Sequence, residues 1–132
     1  MRMDETYYEQ AKTLLVPIWR GIPASYKRQY RRTIWQQFEN NLRSAAYTSS
    51  LSRFVSSICL RLGVELAGET LTQVMAVVQS GQDKRLLTLL RDESTTCAIL
   101  VRIENEARTA EWEARQRAAE FDAAHADALT HS

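Results

Sequence analysis

TTCAILVRI, residues 95–103, is the stretch on which the fold class turns. Its β-branched residues suit a strand as readily as a helix. A single strand is not stable without a partner, and no other segment of the chain reads as one. The stretch is therefore assigned to a helix, with a break near Ser94, and the whole chain becomes all-α. Four glycines and two prolines in 132 residues point the same way, because repeated tight turns need more of both.

Working outward, the chain from Glu104 onward is strongly helical and mostly polar. Glu104–Arg108, Glu111–Arg115 and Glu113–Arg117 are spaced i, i+4 with the acid first, which is the favourable order. Heptad positions 103, 107, 110, 114, 117, 121, 124 and 128 read Ile, Ala, Ala, Ala, Arg, Phe, Ala, Ala. That seam is too thin to hold a coiled coil by itself. The expected division is a helical body over 1–103 and a polar helical extension over 104–132, which either docks on a partner or frays from about Asp122.

Upstream, the apolar spacing predicts a compact bundle of about five helices. The first runs from about Glu5 to Leu15, with Asp4 as N-cap and a stripe of Tyr7, Ala11, Leu14, Leu15 and Ile18; Pro17 is expected to kink or end it. Arg20-Gly21-Ile22-Pro23 reads as a connector into a second helix reaching about Ala46, buried through Tyr30, Ile34, Phe38, Leu42 and Ala45. A third, capped within Thr48–Ser50 and ended by Gly63, buries Leu51, Phe54, Val55, Ile58, Cys59 and Leu62. A fourth, from about Glu69 to Gln79, buries Leu71, Val74, Met75 and Val78. Ser80-Gly81-Gln82-Asp83 resembles a capping box opening a fifth, with Leu86, Leu87, Leu89 and Leu90 inside.

The net charge of +1 conceals a strong asymmetry. Through Leu66 there are ten basic and five acidic residues; beyond it there are seven and eleven. In ASYKRQYRRTIWQQF (24–38), Lys27, Arg28, Arg31 and Arg32 crowd the start of the predicted second helix with no acid before Glu39. The helix dipole disfavours cations there, and the free N–H groups at a helix start favour an anion. Lys27 and Arg31 also fall in line with the apolar stripe, so the helix start is expected to overhang the core. Arg20, Lys27, Arg28, Arg31, Arg32, Arg43 and Arg53 are accordingly candidate contacts to a phosphate backbone. Trp35, at the edge of the stripe, is the candidate for base stacking, whereas Tyr30 is read as structural. Pairing of the basic helix with the acidic C-terminal half is the rival reading.

Trp112 and Phe121 are candidate anchors for a protein partner, tryptophan being enriched in binding hot spots. Catalysis finds no motif: the only histidines are His125 and His131, near the end of the chain, and the acid pairs Asp92/Glu93 and Glu104/Glu106 point to different helix faces. No cofactor or metal is expected. Cys59 and Cys97 read as free thiols in a reducing compartment. Neither a signal peptide nor a membrane span is read, so a soluble, cytoplasmic protein is expected.

The organisation resembles the small helical subunit of CRISPR effector (Cascade-like) complexes. A short all-helical chain, an early basic helix, a polar tail and the stretch LLTLLRDESTTCAILVRIENE (86–106) carry the resemblance. It implies a non-enzymatic, nucleic-acid-binding subunit of a ribonucleoprotein involved in antiviral defence. Guide RNA backbone or displaced single-stranded DNA would be contacted, together with other protein subunits or further copies of the chain. No individual residue is carried over from it. The alternative is an adaptor or inhibitor that acts only on proteins, through the C-terminal helix.

Overall fold

The computed structural model describes the backbone of residues 5–79 and 83–130 and the side chains of 5–79 and 84–124. Every regular element among these residues is helical: α1 (Glu5–Gly21), α2 (Ala24–Gln29), α3 (Ile34–Ala45), α4 (Leu51–Leu62), α5 (Gly68–Val78), α6 (Asp83–Arg91) and α7 (Glu93–Thr130). The chain divides into two compact units, Met1–Leu100 and Val101–Ser132, the boundary falling within α7. Asp4 and Ser80–Gln82, expected to cap α1 and α6, lie outside the described residues, as do His131 and the side chain of His125.

In the first unit α3 packs on α4, α1 on α5, and α6 against both α3 and α4. Tyr8, Leu14, Leu15, Ile18, Phe38, Leu42, Leu51, Phe54, Ile58, Leu62, Leu86 and Leu90 are fully buried. α4 forms as its sequence dictates. The Ser50 hydroxyl accepts from the Arg53 N–H at 3.3 Å, and Gly63 closes the helix at φ 64°, a conformation that disfavours any side chain.

The strand-like stretch 95–103 is helical, and the break expected near Ser94 falls at Asp92. The Asp92 carboxylate accepts from the Ser94 N–H (3.1 Å) and the Thr95 hydroxyl (2.9 Å), an N-cap that starts α7. Thr96 is fully buried and donates its hydroxyl to the Leu90 carbonyl at 2.7 Å, satisfying a polar group that burial would otherwise penalise.

Four expectations are corrected. α1 does not stop at Leu15 but runs through Pro17 to Gly21. The residues beyond the proline are held from outside the helix: Ile18 is fully buried and the Trp19 ring packs on Trp35 and Phe38. That packing outweighs one lost backbone hydrogen bond. The buried tyrosine of α1 is Tyr8; the Tyr7 hydroxyl instead accepts from Arg85 Nη1 at 2.7 Å, beside a groove of about 400 Å³. Leu89 lines the same groove and is only half-buried, and on α5 Leu71 is exposed, leaving Val74 fully buried. Finally, the predicted second helix is two helices, α2 and α3, separated at Tyr30–Thr33. An uninterrupted helix would have put Lys27 and Arg31 on the buried stripe; the break removes that conflict.

The second unit is the α7 segment from Val101. It carries its own ion pairs at i, i+4: Arg102–Glu106 (3.4 Å), Arg108–Glu104 (2.5 Å) and Arg115–Glu111 (2.9 Å). Residues 107–124 are exposed on every face, as expected of a helix stabilised by such pairs rather than by burial. Among the described residues no helix is long and apolar enough to cross a membrane.

Candidate nucleic-acid interface

Pro23, extended at φ −59° and ψ 147°, opens α2, whose six residues include no buried side chain and no acid in the first turn. The helix ends where the Tyr30 N–H donates to the Tyr26 carbonyl at 3.1 Å. The Thr33 N–H then donates to the Tyr30 carbonyl at 2.8 Å, and Thr33 starts α3 without a capping side-chain hydrogen bond. Arg31 and Arg32 therefore lie in the turn between two helices.

This geometry revises the dipole argument. Lys27 and Arg28 occupy the last turn of α2, where the dipole favours cations. Only Arg31 and Arg32 precede a helix start, that of α3, where unsatisfied N–H groups favour an anion.

The corner is held by aromatic contacts. Trp19 meets Trp35 edge-on at 4.6 Å and Phe38 at 5.0 Å, and Lys27 Nζ sits 5.5 Å over the Trp19 ring. Asn41 Nδ2 donates to the Tyr26 hydroxyl at 3.1 Å, tying α2 to α3. Burial pushes the Tyr26 hydroxyl pKa up, and the Asn41 hydrogen bond opposes that rise. The Tyr26 and Tyr30 ring planes are tilted 45° to each other, with centroids 4.6 Å apart.

The predicted cations separate into two groups. Arg43 is engaged: Nη1 lies 3.2 Å from Glu93, and Nη2 lies 2.6 Å from Asn40 Oδ1 and 3.9 Å from buried Glu39. Lys27 is half-buried on Trp19, and Arg53 donates to the Ser49 hydroxyl at 3.3 Å. Arg20, Arg28, Arg31 and Arg32 are exposed and form no hydrogen bond or ion pair among the described residues. Arg20 stands at the end of α1, lining a cavity of about 330 Å³ with Glu65 and Thr70. Trp35, expected to stack on bases, has its ring engaged by Trp19 and Phe38 (6.2 Å).

In the second unit Trp112 is 60% and Phe121 71% exposed. Nine residues apart, they fall on opposite faces of α7, about 180° around the axis, and do not make one patch. Among the described residues no group of three His, Cys, Asp or Glu side chains could hold a metal ion.

The rival reading, pairing of the basic helix with the acidic C-terminal half, covers the Arg43–Glu93 pair without naming Glu93. The exposed side of the Tyr26–Tyr30 pair is missed by sequence reasoning. The i, i+4 spacing of the tyrosines was a legible signal for the latter. The fold defines an all-α protein with a basic interhelical corner. The chain matches no known protein family, no curated protein and no solved structure.

Proposed function

We propose that the chain is a non-catalytic nucleic-acid-binding subunit that grips the backbone of RNA or single-stranded DNA at the α2–α3 corner. One observation carries this reading. Arg28, Arg31 and Arg32 are exposed without an acidic partner among the described residues, whereas Arg43, slightly further along, is paired with Glu93. Where this fold uses arginine structurally, it supplies an acceptor. Free cations clustered in five residues suit a polyanion, whose neutralised phosphates release counterions. In this reading Arg28, Arg31 and Arg32 are the main contacts, with Arg20 and Arg53 at the periphery. A place within a ribonucleoprotein, beside other subunits or copies of itself, follows from the resemblance to the small helical subunits of CRISPR effector complexes.

The test is fluorescence anisotropy with a labelled single-stranded oligonucleotide at about 50 mM salt, where even weak phosphate contacts register. The plot of log K against log salt should slope by roughly −0.7 per phosphate contacted, so about −2 to −3 for three to four contacts. Arg28→Glu with Arg32→Glu should abolish binding, while Arg115→Glu with Arg117→Glu should not. Absence of binding by the native chain would overturn the reading.

The exposed Trp112 ring favours a second reading, a protein-only adaptor acting through α7. Deleting 104–132 would then remove partner binding, and reversing Arg28 and Arg32 would leave it intact.

A further inference from the structure

We propose that Tyr30 is a base-stacking residue, and that through it the α2–α3 corner selects single strands over duplexes. This deepens, and rests on, the nucleic-acid reading above. Arginines alone recognise phosphate charge and do not discriminate a single strand from a double one. Discrimination needs a surface that takes an unpaired base face, which a duplex keeps within its own stack.

Three rings adjoin the free arginines in sequence: Tyr26, Tyr30 and Trp35. Trp35 is held edge-on by Trp19 and tilted against Phe38, so its ring belongs to the aromatic cluster between α1 and α3. The Tyr26 hydroxyl is tied to Asn41, which fixes that ring as a backing. Tyr30 is partly exposed, has the Tyr26 ring 4.6 Å away, and makes no side-chain hydrogen bond among the described residues. Its backbone ends α2 at φ −110° and ψ 30°, between Arg28 and the Arg31–Arg32 pair. A ring braced by a second, anchored ring and flanked on both sides of the chain by unpaired cations combines the two elements of single-strand recognition, stacking and backbone charge. The i, i+4 placement, Tyr26 within α2 and Tyr30 at its C-cap, explains why the pair forms.

The experiment compares four probes of equal length by anisotropy: single-stranded RNA, single-stranded DNA, an RNA duplex and an abasic single strand. The native chain should bind both base-bearing single strands more tightly than the RNA duplex, and about 5- to 150-fold more tightly than the abasic strand, the range spanned by stacking one base. That comparison needs no substitution and so survives any folding defect in a variant. Tyr30→Ala should remove the advantage while leaving abasic and duplex affinities within about twofold; Tyr30→Phe should keep it. Equal affinity of the native chain for abasic and base-bearing strands would overturn the stacking proposal and leave the phosphate reading standing. So would a Tyr30→Ala loss spread equally over all four probes. No binding to any probe would instead overturn the underlying reading.

Discussion

The Arg91 guanidinium donates from Nε to the carbonyl oxygen of Ala46 at 2.5 Å, across 45 residues of sequence. Its Nη2 reaches the Thr48 carbonyl at 3.1 Å, and the group lies 5.8 Å over the Tyr47 ring. The carbonyls left unpaired where α3 ends thus receive a cation, which the helix dipole also favours at that end. Close by in sequence, Arg43 of α3 pairs with Glu93 at the start of α7. Two arginines, one from each side, fasten the end of α3 to the α6–α7 junction.

Arg91→Ala should lower folding stability by about 1–3 kcal/mol, because charged hydrogen bonds are lost and acceptors are left without a donor. Arg91→Lys should recover only part of this, since an ammonium does not reproduce the planar fork. Urea unfolding followed by circular dichroism measures both.

Gly21 and Gly68 should respond in opposite directions to alanine. A Cβ on Gly21 would lie 2.7 Å from Val64 Cγ1, too close for either group to keep its place. Gly21→Ala is expected to destabilise by about 1–3 kcal/mol, and Val64→Ala in the same chain should return part of the loss. A Cβ on Gly68, the first residue of α5, would meet nothing within 4 Å. Gly68→Ala should therefore stabilise by about 0.4–1 kcal/mol by restricting the unfolded chain. Thermal midpoints of the four chains check the set.

Asp92→Ala should cost about 0.5–2 kcal/mol through the lost N-cap of α7, whereas Asp92→Asn should be nearly neutral because its amide oxygen still accepts from Ser94. Amide hydrogen exchange over residues 93–96 should report the loss locally.

Alkaline pH should weaken the fold. Burial pushes the Cys59 thiol up, and it pushes the Tyr26 hydroxyl up as well. The folded state thus favours the neutral form of each. Their contribution is complete below the unfolded values and is lost as pH rises towards the folded ones. Urea midpoints should decline above about pH 8.5, the unfolded thiol value, with Tyr26 adding to the decline above about pH 10. Cys59→Ala should flatten the first part of that decline and Tyr26→Phe the second. At neutral pH a thiol reagent should modify exposed Cys97 well before half-buried Cys59.

The parts of the fold legible in the sequence are those fixed by local chemistry. Ser50 and Gly63 bound α4 because a hydroxyl cap and a left-handed glycine act within a few residues of themselves. Leu86, Leu87 and Leu90 are buried where their periodicity put them. The misread parts depend on residues distant in sequence. Pro17 is carried inside α1 by the packing of Ile18 and Trp19, and nothing near the proline announces it. The choice of Tyr8 over Tyr7 for the core goes with the hydrogen bond from Arg85, 78 residues away. The break at Tyr30–Thr33 shows in the sequence only as a contradiction, two cations on an apolar stripe, which an overhanging helix start would resolve equally well. Of the candidate site, the charge was plain from composition. Which arginines are free was not, because that depends on Glu93 and Asn40 being placed beside Arg43.

The approach of Gly21 to Val64 has a use in tracing ancestry. Gly63, left-handed, stands next to Val64, and a Cβ on it would lie 3.7 Å from Pro23 Cγ, so the end of α1 and the end of α4 meet with little room for added side chains. The junction is favoured by a residue without a Cβ at one position and a left-handed turn at the other. A glycine closing the first helix, a proline two residues later, and a glycine followed by a β-branched residue closing the fourth make a spaced signature. It offers a means of recognising distant kin whose alignments are otherwise too faint to read.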